Sequence, residues 1–180
     1  MIKILFVCHG NICRSPMAEF IMRDMCEKRG LTDIVTASAA TSTEELGNGV
    51  HYGTRGVLNR LGIDCSAKRA RQITRGDYDE YDLLIGMDSA NIRNMTRYWG
   101  DKMQQDAAAA ARKSAHGCAA AEGNRRHKIH KLLDFTERKN GDVADPWYTG
   151  NFERTYLDVK EGCEGLIETI LRGDFGDIKE

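Results

Sequence analysis

Short continuous apolar runs alternate along this chain with stretches in which apolar residues recur every three or four positions. Residues 2–8 (IKILFVC) make a β-type run almost at the first residue. Met17, Phe20, Ile21 and Met25 then recur at helical spacing over residues 16–29, a helix closed by Gly30. Residues 33–38 read as a second, short strand, and 40–49, rich in Thr, Ser, Glu and Gly, as a loop. Val57, Leu58 and Leu61 predict a helix over 50–61, closed by Gly62. Residues 81–87 (YDLLIGM) form a third strand, 89–99 a helix and 129–135 a fourth, short strand. Residues 152–171 carry Phe152, Tyr156, Val159, Cys163, Leu166, Ile167 and Ile170 on one face of a last helix. Strands alternating with helices predict an α/β fold: a three-layer sandwich whose central four-stranded parallel sheet has helices on both faces. Ligands in such sheets bind beyond the C-terminal ends of the strands.

At 180 residues the chain is read as one domain, with a core that needs no staples. Residues 104–127 break the pattern: nine alanines, almost no large apolar residue, and a cluster of Arg112, Lys113, Arg125, Arg126 and His127. Alanine favours helix, and residues 105–116 could form one, but it would have no apolar stripe to bury. The segment is expected to be a surface insertion, the alternative being a basic arm that docks an acidic partner or lies over the catalytic mouth. The net charge of −1 gives no global field for nucleic acid or an anionic membrane, so neither is expected as a partner. Apolar runs are too short to cross a bilayer and no signal-peptide pattern precedes the first strand. The six cysteines, Cys8, Cys13, Cys26, Cys65, Cys118 and Cys163, show no zinc-ligand spacing. They are expected to stay reduced in a cytoplasmic protein, with Cys26, Cys65 and Cys163 in the core and Cys118 exposed.

The chemistry concentrates where the first strand ends. Residues 7–16 read VCHGNICRSP, so that Cys8 and Arg14 stand at the two ends of one short loop between strand and helix. Successive backbone N–H groups leading into a helix N-terminus bind anions, and Arg14 adds a planar charged fork that fits two phosphate oxygens. The same field favours the reactive thiolate on Cys8. Gly10 and Asn11 tolerate unusual backbone angles, Ser15 is expected as helix N-cap, and Pro16 fits the first turn. A thiolate attacking a phosphoester also needs an acid for the leaving group. Asp145, in the run Asp145-Pro146-Trp147-Tyr148, is the candidate, and Pro16 and Pro146 are the only two prolines of the chain. Trp147 and Tyr148 offer flat apolar faces to an aromatic substrate.

On these residues the chain resembles the low-molecular-weight protein tyrosine phosphatases. The likeness spans VCHGNICRSPMAE, then SAATSTEE after the second strand, ARQI at 70–73, MDSAN at 87–91 and ADPWYTG near the end, and it leaves out 104–127. The resemblance implies Cys8 as nucleophile and future phosphocysteine, and Arg14 with the backbone N–H groups of His9, Gly10, Asn11, Ile12, Cys13 and Arg14 as the phosphate-binding loop. It implies that Ser15 hydrogen-bonds the Cys8 sulfur, that Asn11 braces the loop through Ser38, and that Asp145 is acid and then base. Trp147 and Tyr148 become the substrate rim. No cofactor and no metal are implied, since Arg14 and the loop dipoles meet the charge. The implied partners are phosphotyrosine-containing proteins, with phosphate or other oxyanions in the loop. Cys13 either packs as a small residue or traps an oxidised Cys8 as a disulfide. His9, where a smaller residue is common, is expected to face solvent. Lys68 stands where several members carry a histidine that bonds the aspartate of the MD motif, here Asp88, so a Lys68–Asp88 ion pair is expected.

Three other readings compete. Phosphoarginine phosphatases of the same fold carry threonine at the position of Ile12, and isoleucine suits an aromatic ring better than a guanidinium. A thiol-dependent arsenate reductase needs two further redox cysteines, and residues 81–100 hold none. A module that only binds phosphopeptides needs neither nucleophile nor acid. A monomer is the default expectation, with the aromatic rim as the surface for self-association.

Overall fold

The computed structural model describes residues 1–115 and 128–174. Strands β1 (Ile2–Cys8), β2 (Ile34–Ala40), β3 (Leu83–Gly86) and β4 (Ile129–Lys131) form one sheet in the order β2-β1-β3-β4. Every pairing is parallel. Helices α1 (Arg14–Lys28), α2 (Tyr52–Arg60) and α6 (Phe152–Leu171) cover one face, and α3 (Asp77–Glu80) with α4 (Ser89–Ala115) the other. The expected three-layer α/β sandwich is what forms. β1 shows why it must: Ile4, Phe6 and Cys8 point into the cluster under α1 and α6, while Leu5 and Val7 point into the cluster with Met95 and Trp99. A strand apolar at every position can be satisfied only between two helical layers.

Gly30 and Gly62 end their helices as expected, and by the same device. Both adopt positive φ (67° and 75°), and the next amide reaches back across the turn, Leu31 N–H to the Cys26 carbonyl and Ile63 N–H to the Leu58 carbonyl. On α6, a Cβ at Gly162 would overlap Leu132 and one at Gly165 the Phe135 carbonyl, so small residues set the close approach of that helix.

Several boundaries differ from expectation. The fourth strand stops at Lys131, because the Asp134 carboxylate accepts the Lys131 amide (2.9 Å) and turns residues Leu132–Phe135 into a 3₁₀ turn. α4 does not end near residue 99 but runs unbroken through the start of the alanine-rich segment to Ala115, as alanine's helix preference allows. Side chains 104–108 are exposed there. The rest of that segment, with Cys118 and the cluster Arg125, Arg126 and His127, lies outside the described residues.

In this strand order, β1 connects toward one edge of the sheet while its other neighbour, β3, begins the opposite half. The loops after β1 and β3 therefore diverge and leave a crevice at their C-terminal ends. Cys8 ends β1 and Asp88 follows β3.

Candidate active site

The loop from Cys8 to α1 is held at its outer edge by the strip that follows β2. Thr41 N–H donates to the Cys8 carbonyl (2.9 Å) and Ser42 N–H to the His9 carbonyl (3.0 Å). Inside the loop, Cys8 Sγ lies 3.0 Å from Ser15 Oγ and receives the Asn11 amide at 3.3 Å. Asn11 sits at φ 58°, in the left-handed region where asparagine is tolerated. Its Nδ2 donates to Ser15 Oγ (2.9 Å) and Ser38 Oγ (2.7 Å), while its Oδ1 accepts the Arg71 amide (3.2 Å). The expected brace from Asn11 to Ser38 is thus present. Ser15 is not the helix cap: α1 starts one residue earlier, at Arg14, with Cys13 in the cap position. The Ser15 hydroxyl is turned to the sulfur instead of to its own helix.

Beneath this loop lies a charged support. Ser38 Oγ donates to Glu19 Oε2 (2.6 Å), and Glu19, 5% exposed, is held by Lys68 (2.7 Å) and Arg23 (2.8 Å). These contacts fix the direction of each proton. An ionised Glu19 can only accept, so Ser38 must donate to it and accept from Asn11. Ser15 Oγ, already accepting from Asn11, keeps its hydroxyl proton, with the Cys8 sulfur at 3.0 Å and the Ala39 carbonyl at 3.4 Å as its acceptors. The expected Lys68–Asp88 pair does not form. Lys68 is taken by Glu19 and the Ser38 carbonyl (3.1 Å), and Asp88 is taken by Arg14.

Arg14, 4% exposed, is gripped from two sides: Asp88 Oδ2 at 2.6 Å on one guanidinium nitrogen and Asp145 Oδ2 at 2.5 Å on the other. Burial works against its charge, but Cys8, Asp145 and Asp88 outweigh that and raise its pKa further above the ordinary arginine value. Asp88 also accepts the Asn91 amide (2.6 Å) at the start of α4, so one carboxylate both caps a helix and aims a guanidinium. Asp145 caps the single turn α5 (Pro146–Thr149) by accepting the Trp147 amide (3.0 Å). The residue before it is clamped to α6. Ala144 N–H donates to Asp158 Oδ2 (3.1 Å) and Thr155 Oγ1 donates to the Ala144 carbonyl (2.8 Å). Arg138 and Arg154 pair with the buried Asp158 in turn.

Around the mouth stands an aromatic wall. His51 stacks on Phe152 (centroids 5.0 Å, planes 10° apart) and meets Trp147 edge-on. Burial holds the His51 imidazole below its ordinary pKa, against the pull of Glu45, which leaves Nδ1 free to accept the Gly53 amide (3.2 Å). A Cβ at Gly53 would overlap the Phe152 ring. Trp147 and Tyr148 are 61% and 86% exposed. Ile12 is buried with Cys13 and Ala70 and packs against Phe152, so it backs the wall instead of standing open in the mouth. His9 is exposed as expected, and its Nε2 lies 3.0 Å from Glu44 Oε2. Cys13 is buried, and burial, with the neighbouring Cys8 and Asp145, pushes its thiol up to about 12. Cys26, Cys65 and Cys163 are buried in the core as expected.

Glu19, Thr155 and Asp158 are absent from the expected site. Their signal in the sequence is a polar stripe on otherwise buried helices: Ser15, Glu19 and Arg23 recur at i, i+4 on α1, and Thr155 and Asp158 at i, i+3 on α6.

Known proteins are similar to this chain in sequence and fold. The model of the family described as low molecular weight phosphotyrosine protein phosphatase matches residues 3–112 and 108–174, two stretches that meet inside the alanine-rich segment. The low molecular weight protein-tyrosine-phosphatase YfkJ of Bacillus subtilis is 41% identical over 174 residues, covering 96% of this chain and 97% of the relative. PtpA of Staphylococcus aureus, of the same description, is 33% identical over 172 residues, 96% of each chain. The crystal structure of YfkJ superposes with a TM-score of 0.78 over 96% of each chain at 38% identity. A protein tyrosine phosphatase of Entamoeba histolytica, solved with Hepes in its active site, gives 0.77 over 97% of this chain and 99% of its own, at 28% identity.

Proposed function

This chain belongs to the low molecular weight phosphotyrosine protein phosphatases, and on that premise we propose that it hydrolyses phosphotyrosine in two displacements at Cys8. The observation that carries the reading is the meeting of three groups: a sulfur faced by two donors, a buried guanidinium, and the Asp145 carboxylate on that same guanidinium.

The phosphoryl group enters the loop with its oxygens on the backbone N–H groups of residues 9–14 and on Arg14. Asp88 keeps one edge of the guanidinium in register, and the dianion takes the other from Asp145, which enters the first step in its protonated form. Cys8 Sγ attacks phosphorus as the tyrosine oxygen departs, and Asp145 gives that oxygen its proton. The S–P bond forms, the P–O bond breaks, and tyrosine leaves neutral. In the second step Asp145 takes a proton from water, the resulting oxygen attacks phosphorus, and the S–P bond breaks to release phosphate. Ser15 O–H and Asn11 N–H stabilise negative charge on the sulfur both when it attacks and when it leaves. Charge on the transferring group is met by Arg14 and the loop amides.

The wall of Phe152, His51 and Trp147, backed by Ile12, suits a flat ring better than a guanidinium. Cys13, held as a neutral thiol on the nucleophile's own loop, is placed to capture an oxidised Cys8 sulfur as a disulfide. Five buried, unpaired cysteines among the described residues suit a reducing cytoplasm.

The purified protein, assayed in parallel on phosphotyrosine and phosphoarginine peptides of one sequence, is expected to prefer phosphotyrosine and to yield an acid-labile phosphoprotein on rapid quenching that Cys8→Ser does not form. Preference for phosphoarginine overturns the substrate, and a turnover-competent Cys8→Ser variant overturns the nucleophile.

A further inference from the structure

The strip that follows β2 does more than brace the loop. Because Thr41 and Ser42 are hydrogen-bonded to the Cys8 and His9 carbonyls, the next residues overhang the mouth. Glu44 is exposed there, with Oε2 3.0 Å from His9 Nε2. Glu45 lies over Gly10, where an added Cβ would meet Glu45 Cγ at 3.1 Å, and it acts electrostatically on His51 in the aromatic wall. Asn48 Nδ2 donates to Glu45 Oε2 (2.7 Å) and orients it. Among the described residues no lysine or arginine pairs with either glutamate. Arg69, on the strip bridged to Gly49, turns one guanidinium nitrogen to the Ser66 and Lys68 carbonyls (2.7 and 2.8 Å).

Two carboxylates without a permanent cation thus stand at the loop side of a mouth that also carries an aromatic wall. We propose that Glu44 and Glu45 form an acidic lip that selects phosphotyrosine segments carrying lysine or arginine beside the phosphorylated residue and rejects segments with acidic flanks. The lip rests on the phosphotyrosine reading above and adds which phosphoprotein segments the site accepts. Arg14 and the loop attract any phosphoryl group, so they cannot discriminate among flanking sequences. The lip can, since an approaching side chain lies against it, and the exposure of Glu44 and the partial exposure of Glu45 keep the effect modest and salt-sensitive.

The test uses two phosphotyrosine peptides of equal length, one flanked by lysine and arginine and the other by aspartate and glutamate. Their dissociation constants are measured on the full chain carrying Cys8→Ser, with and without Glu44→Gln and Glu45→Gln together. At low ionic strength the basic peptide is expected to bind about tenfold tighter, and the ratio to fall toward one in the double glutamine variant and in high salt. A ratio near one before the glutamates are changed, or one that survives the double change, overturns the lip, as does failure of both peptides to bind. A ratio is unaffected by the fraction of each variant that folds. Hydrolysis of p-nitrophenyl phosphate by the wild type tests the phosphatase reading separately, so loss of one conclusion is distinguishable from loss of the other.

Discussion

The loop that carries Cys8 and the segment that carries Asp145 meet at one guanidinium, yet they are supported in opposite ways. The Cys8 loop rests on side chains: Asn11, Ser15 and Ser38 pass a directed set of hydrogen bonds down to Glu19 and its two cations. The Asp145 segment rests on its backbone, with both polar groups of Ala144 fastened to α6 and residues 147–151 open to solvent. An anion-binding loop must aim several amides and one sulfur at the same small target, so its shape has to be fixed from inside. The proposed acid needs one carboxylate at one place, while the proposed rim beside it would have to accept different protein surfaces. Firm support is placed under Cys8, and exposure begins two residues past Asp145.

The largest expected effect breaks the acid side directly. Asp145→Ala is expected to slow turnover of phosphotyrosine by about 10²- to 10³-fold but to spare most activity on p-nitrophenyl phosphate, whose leaving group departs without a proton. Equal losses on the two esters, read from steady-state rates, would take the acid role from Asp145.

Isosteric changes in the two supporting carboxylates then sharpen the contrast. Glu19→Gln leaves Lys68 without its counter-charge and lets Ser38 and Asn11 turn, so it is expected to destabilise the fold by about 2–3 kcal/mol in denaturant unfolding. Its loss of kcat, about tenfold, should be the same for both esters, because the sulfur serves both. Asp158→Asn removes charge from beneath Ala144 and is expected to lower stability by about 1–2 kcal/mol, with a loss of kcat of only a few-fold. That smaller loss should appear on phosphotyrosine and not on p-nitrophenyl phosphate. If the two variants lose activity with the same leaving-group dependence, the two supports are not separate.

Much of this was legible in the chain. The apolar runs of β1 and β3, the helical spacing of α6 and the glycine stops after α1 and α2 led to the right layers, because burial on both faces of a parallel sheet leaves a pattern in consecutive residues. VCHGNICRSP and Asp145-Pro146 marked the site, because a loop between strand and helix needs its own residue types in order. What misled was local reading of residues whose partners are distant. Ser15 looks like a cap, but Cys8 and Asn11 claim its hydroxyl. Lys68 was expected on Asp88, although Glu19 is nearer in space. The strand at Ile129 looked longer, since nothing local shows Asp134 turning back to the Lys131 amide.

The sequence by itself determined the layered sheet and the loop that carries Cys8 and Arg14, and it singled out Asp145 as the candidate acid, all from periodicity and short contiguous motifs. Only the tertiary structure decided which charges share Arg14, which way the protons point beneath the loop, and that Glu44 and Glu45 overhang the mouth. Those are contacts between residues 4 to 131 positions apart, in pairs from Asn11–Ser15 to Arg14–Asp145, and they depend on distance and burial, which no single segment encodes.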